Sequence, residues 1–133
     1  MGVNCRAMKT LTFLMPAILL SLNSFAETPK AQMSCTAIFR TLDKNGNTVE
    51  RSLNLPVEGT IGDQIKHRGD FEGKSFSLIE DRISGDLFGQ IITNSDDTKG
   101  TVFRGAADSV GRFNATEVIG FTVYRMECSR IRN

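Results

Sequence analysis

Residues able to do chemistry are scarce in this chain. It has one histidine, His67, and three cysteines among 133 residues. No Cys-x-x-Cys pair and no Gly-x-Ser-x-Gly turn is present, so neither a redox dithiol nor an esterase-type nucleophile elbow is encoded. A charge excess is missing too: sixteen Lys and Arg stand against fifteen Asp and Glu. Nucleic-acid binders carry basic residues in clusters, whereas here they are scattered among acids from Lys30 to Arg132. That distribution excludes an electrostatic case for nucleic acid or for an anionic membrane. No internal repeat, low-complexity tract or Pro- and Ser-rich linker divides the chain.

Apolar runs long enough to cross a bilayer are absent as well. The longest spans residues 11–22, about a dozen residues against the ~20 that a spanning helix needs. Arg6 and Lys9 precede it and Ser24-Phe25-Ala26 closes it, with small residues at the −3 and −1 positions of a cleavage site. Residues 1–26 therefore read as a cleavable signal peptide, and residues 27–133 as one secreted or periplasmic domain. Met8-Lys9 is an alternative start to Met1. No cysteine follows the apolar run directly, which speaks against a lipid anchor, and no membrane association is expected after cleavage.

Export changes the remaining composition. The leader removes two basic residues and no acidic one, so the product carries fourteen against fifteen, a net charge of −1. It also removes Cys5, leaving Cys35 and Cys128. Two distant cysteines and one histidine cannot fill a tetrahedral zinc site, and in an oxidising compartment a lone pair forms a disulfide. No cofactor and no metal are expected.

The apolar residues favour sheet. In residues 27–133, Ile, Val and Thr number 25 while Leu and Ala number 10, a balance of β-branched over helix-forming side chains. Eleven glycines in the same span punctuate it into short strands. Alternation puts Met33, Cys35, Ala37 and Phe39 on one face of a strand over residues 33–41. Asp43-Lys44-Asn45-Gly46-Asn47 makes a hairpin turn, because Asn-Gly takes the positive φ values a tight turn requires. The return strand covers residues 48–55 and ends at Pro56, which cannot donate to a ladder.

Further strands are expected over 74–81, 87–93, 101–104, 111–118 and 120–130. Gly89 marks a bulge or a close backbone approach. In the last strand Thr122, Tyr124, Met126 and Cys128 share one face, and Phe121 and Val123 on the other imply cover on both sides. Residues 60–74 have only Ile61, Ile65 and Phe71 as apolar anchors and are compatible with a weak strand, a helical turn or a loop. Residues 94–100 read as a polar loop. The expected fold is all-β: a small antiparallel barrel, or a two-sheet sandwich, of seven or eight strands whose first and last members are joined by Cys35–Cys128.

The motifs that could carry activity are weak. His67, between Lys66 and Arg68, has no nucleophile partner and reads as a solvated loop residue. Glu80-Asp81 and Asp96-Asp97 are adjacent pairs, and neighbours on a strand point to opposite faces, so neither pair faces itself across a cleft as a glycosidase needs. The Asp43–Asn47 turn fails the calcium-loop spacing, with its glycine at position 4 and Asn54 at position 12. Arg68-Gly69-Asp70 and Asn114-Ala115-Thr116 are chance-length matches to an adhesive tripeptide and a glycosylation acceptor.

Phe71, Phe76, Phe88, Phe103, Phe113 and Phe121 either fill the interior or line a pocket. By elimination the sequence points to a binding module that recognises or inhibits another secreted macromolecule such as a hydrolase. Its contact loops would carry His67, Arg68, Asp70, Asp96 and Asp97. A lipocalin-like carrier of a small apolar ligand is the alternative, and a hydrolase a weaker one.

Overall fold

A computed structural model describes residues 31–132; the expected leader, with Cys5 and both candidate starts, lies outside the described residues. Nine antiparallel strands follow in order: β1 (Met33–Leu42), β2 (Thr48–Leu55), β3 (Val57–Ile61), β4 (Gln64–Phe71), β5 (Lys74–Asp81), β6 (Asp86–Thr93), β7 (Asp96–Ala106), β8 (Arg112–Ile119) and β9 (Thr122–Arg130). They make a four-stranded sheet ordered β2-β1-β9-β8 and a five-stranded meander ordered β3-β4-β5-β6-β7. The chain changes sheets at Pro56, where a ladder cannot continue, and again between Ala106 and Arg112.

The fold is the two-sheet sandwich and not the barrel. β1 and β9 do pair, with Cys35 opposite Cys128, but they are the two central strands of one sheet, and no ladder joins the two sheets. The disulfide forms across this pair, a bond that suggests an oxidising environment.

The first hairpin forms as its sequence dictates. Asp43 N–H donates to the Asn47 carbonyl at 2.9 Å, Gly46 takes φ +82°, and the Asp43 carboxylate accepts the N–H groups of Asn45 and Asn47 at 2.8 Å each. Those bonds, led by the one from Asn47, hold the Asp43 carboxyl below its usual range. Residues 60–74 prove to be the end of β3, all of β4 and the turn into β5. The polar stretch at 94–100 is only a two-residue turn leading into β7, which starts at Asp96 rather than near Thr101. Phe121 is also displaced from expectation. It sits in the tight turn between β8 and β9 and is 82 % exposed, because Gly120 at φ +61° reverses the chain there.

Inward-facing residues fill the space between the sheets. Met33, Cys35 and Ala37 of β1, Met126 and Cys128 of β9, and Phe113 and Ala115 of β8 meet Phe76 and Leu78 of β5 and Leu87 and Ile91 of β6. Packing is tight enough to dictate two glycines. A Cβ on Gly89 would lie 2.7 Å from Met126 Cε, and one on Gly69 would lie 2.8 Å from Leu55 Cδ2. Gly89 therefore marks a close approach of the opposite sheet. The phenylalanines do not converge on a pocket: Phe76 and Phe113 are core, Phe71 and Phe103 flank it, Phe88 faces outward and Phe121 is exposed.

Candidate functional site

Alternation along a strand leaves each sheet with an inner face committed to the core and an outer face free of it. Two polar clusters break the apolar rule on the inner side. On β4 and β5, His67 and Glu80 turn inward; their side chains are 2 % and 4 % exposed, with His67 Nε2 at 2.9 Å from Glu80 Oε2. Glu80 also accepts the backbone N–H groups of Gln32 at 2.6 Å and Met33 at 3.1 Å, so it pins the start of β1 to the opposite sheet. Burial works to raise the Glu80 pKa, but the His67 hydrogen bond, the two N–H donors and the charge of His67 outweigh it. The carboxyl is held below its usual 4.5. His67 is thus not the solvated loop residue its neighbours suggest, and Glu80 is not a solvated strand end: the polar flanks Lys66 and Arg68 lie on the other face of the strand.

The second cluster lies at the other end of the sandwich. Lys74 of β5 reaches Thr93 Oγ1 at 2.7 Å and Glu117 Oε2 at 3.1 Å, and its ammonium sits 4.9 Å from the centre of the Tyr124 ring. Thr101 Oγ1 donates to Glu117 Oε1 at 3.1 Å. Both clusters join the two sheets, and both are closed over by the strands that carry them. Among the described residues no group of three His, Cys, Asp or Glu side chains is placed to hold a metal ion.

The other expected contact residues are dispersed. Arg68 and Asp70 lie on the outer face of β4, with Arg68 3.6 Å from Glu58. Asp96 and Asp97 stand at the start of β7. The Thr98 side chain and N–H hold the Asp96 carboxyl below its usual range, and Lys99 is 3.4 Å away. Asp97 is exposed. Arg68 and Asp70 share a face, His67 points away from them, and Asp96 and Asp97 cap the β6–β7 turn.

The outer face of the five-stranded sheet has a feature that this set missed. Cross-strand register aligns Lys66, Ile79, Phe88 and Arg104 in one row over four strands. Two clefts run along it, one of about 240 Å³ bordered by Ile61, Gln64, Lys66 and Ile79, the other of about 250 Å³ bordered by Ile79, Asp81, Asp86, Phe88 and Arg104. They share Gln64 and Ile79 and so form one groove with an apolar floor. Ion pairs flank it: Lys66 with Glu58 at 3.1 Å on one side, Arg104 with Asp86 at 3.4 Å on the other. Ile61, at the edge of this face, is 83 % exposed. The sequence signal was an outward Ile79 and Phe88 on strands whose partners in alternation are already apolar.

Compared with known protein families, characterised proteins and solved structures, the chain matches none.

Proposed function

We propose that this is an exported recognition module that docks another secreted protein on the outer face of its five-stranded sheet, an extracytoplasmic hydrolase being the partner class to test first. The carrying observation is the groove over Ile79 and Phe88. The groove runs along a row that crosses four strands, so it suits the extended surface of a macromolecule. An apolar centre with a charged rim is also the anatomy of a protein interface. The Glu58–Lys66 and Asp86–Arg104 pairs offer both signs of charge to that rim, and Arg68 extends it, which keeps one of the contact residues expected from sequence.

A carrier of small apolar ligands would need an open interior, and the contacts at Gly69 and Gly89 argue for a filled one. A hydrolase built on His67 would need substrate to reach a side chain 2 % exposed. Export itself rests on the leader together with the disulfide.

The test uses the immobilised protein and its Phe88→Asp variant in culture supernatant or periplasmic extract. Phe88 is outward, so the variant keeps its fold by circular dichroism. A protein retained by the parent and lost from the variant supports the reading, and a fall in that protein's hydrolytic activity on adding the parent defines the function as inhibition. Equal retention by both forms, or none by either, counts against it.

A further inference from the structure

The outer face of the four-stranded sheet carries a different kind of cleft. Its volume is about 500 Å³, and Ser34, Thr36, Arg112, Asn114, Glu127 and Ser129 line it over a floor that includes Cys128. Register sets these side chains in two rows across β1, β9 and β8: Ser34, Ser129 and Arg112 in one, Thr36, Glu127 and Asn114 in the next. Directly opposed residues in such a pair are about 5 Å apart and successive rows about 7 Å, so the six form a compact polar grid.

Three properties decide what fits. The volume falls within the ~300–1,000 Å³ of small-molecule sites. All six side chains end in hydroxyl, amide, carboxylate or guanidinium groups, so the occupant is hydrophilic. The charges are one of each sign, in different rows. Arg112 has no carboxylate within ion-pair distance among the described residues, while its backbone N–H is held by Asp108 Oδ1 at 2.8 Å. Glu127 is partly engaged, its Oε1 accepting from Arg125 at 3.0 Å. A multiply charged anion such as phosphate would meet Glu127 as well as Arg112. A ligand with a single carboxylate and several hydroxyls meets neither conflict.

We infer that this cleft binds an acidic saccharide unit, a sugar ring bearing one carboxylate. Arg112 takes the carboxylate, where a guanidinium offers paired, charge-assisted hydrogen bonds. Glu127, Asn114 and the hydroxyls of Ser34, Thr36 and Ser129 take the ring hydroxyls. Four of the six residues stand on β1 and β9, which the Cys35–Cys128 bond holds together from the inner side of the sheet, so the grid is rigid before ligand arrives and little ordering cost falls on binding.

The experiment titrates the purified protein with glucuronate, glucose and acetate, read by NMR chemical shifts and calorimetry. Saturable glucuronate binding in the millimolar range, with glucose and acetate about tenfold weaker or worse, is expected. Arg112→Gln should weaken glucuronate by about tenfold or more, the size of one charge-assisted hydrogen bond, and Asn114→Ala by a smaller factor. Both residues are exposed, so both variants keep the parent melting temperature. Phe88→Asp should leave glucuronate binding unchanged, which separates this site from the protein-docking face. Glucuronate bound no better than acetate, or equally by parent and Arg112→Gln, overturns the inference.

Discussion

The two outer faces of this sandwich obey the same geometry and differ in chemistry. On the five-stranded sheet the outward positions include Ile61, Ile79 and Phe88, which line the groove, and Ile92 and Val102 beyond it. On the four-stranded sheet Ser, Thr, Asn and paired charges such as Arg40–Glu50 and Arg125–Glu127 surround the cleft, while Ile38, Leu42, Val118 and Val123 face outward toward the opposite end. Inner positions are constrained by packing, so their side chains report on folding. Outer positions contribute little to the core, and a solvent-facing sheet position prefers polar residues. The four-stranded face follows that preference around its cleft and departs from it near Leu42 and Val118. Apolar side chains on the five-stranded face go against that preference, and the proposed docking rests on them.

The strongest way to break the comparison is to remove the disulfide. Joining residues 93 apart, it is worth on the order of 4–5 kcal/mol in the chain-entropy model, so Cys35→Ser with Cys128→Ser should show that loss in urea unfolding. Because the bond joins two strands of the four-stranded sheet, conditions in which the reduced protein stays folded should weaken glucuronate binding and spare partner capture. Equal loss on both faces would show that they are mechanically coupled.

Next in size is the latch between the sheets. Glu80→Gln leaves His67 buried without its carboxylate and costs about 3–5 kcal/mol. The folded pKa of Glu80 lies below the unfolded value, so the stability it contributes is present above about pH 4.5 and is lost as the pH falls through its depressed folded value. Denaturation curves of the parent should therefore shift to lower urea on acidification from pH 6 to pH 3, and those of Glu80→Gln should shift less. An equal shift in both would assign the acid sensitivity to other carboxylates.

A smaller effect probes the interior that both faces share. Gly89→Ala drives a methyl group toward Met126 Cε, the free end of a flexible side chain, and overpacking of this kind costs about 1–3 kcal/mol. A melting temperature lower by several degrees is expected, and an unchanged one would mean that the sheets can part at that point. Smallest of all, Val102→Thr on one face and Thr116→Val on the other should each change stability by about 0.5 kcal/mol or less. Either substitution exceeding that would show that outer positions are not free of the fold.

Much of this architecture was legible in the residues, and the exceptions share a cause. The hairpin at Asn45-Gly46, the strand over Lys74–Asp81 and the pairing of the cysteines follow from alternation and turn chemistry. β4 was obscured because its inward positions are Ile65, His67, Gly69 and Phe71: the period of two is intact, but a histidine and a glycine occupy core positions. Gly69 is there because Leu55 leaves no room for a Cβ, and His67 because Glu80 receives it, and neither partner is near in sequence. Barrel and sandwich both bring β1 beside β9, so that pairing alone did not choose between them. Arg68 faces solvent from a strand rather than a loop, Ile79 carries no signal beyond its strand and Phe88 none beyond an interior or a pocket wall, since groove and cleft exist only once neighbouring strands are aligned.

The disulfide has one more consequence. Ile131 N–H bonds the Gln32 carbonyl at 2.8 Å, so the chain enters and leaves the sandwich at the same point, just outside the Cys35–Cys128 bond. Tension applied along the chain from either side would run through that covalent bond and bypass the strands between. Pulled through its flanking segments, the domain would keep both sheets undistorted under load until a reductant broke that bond.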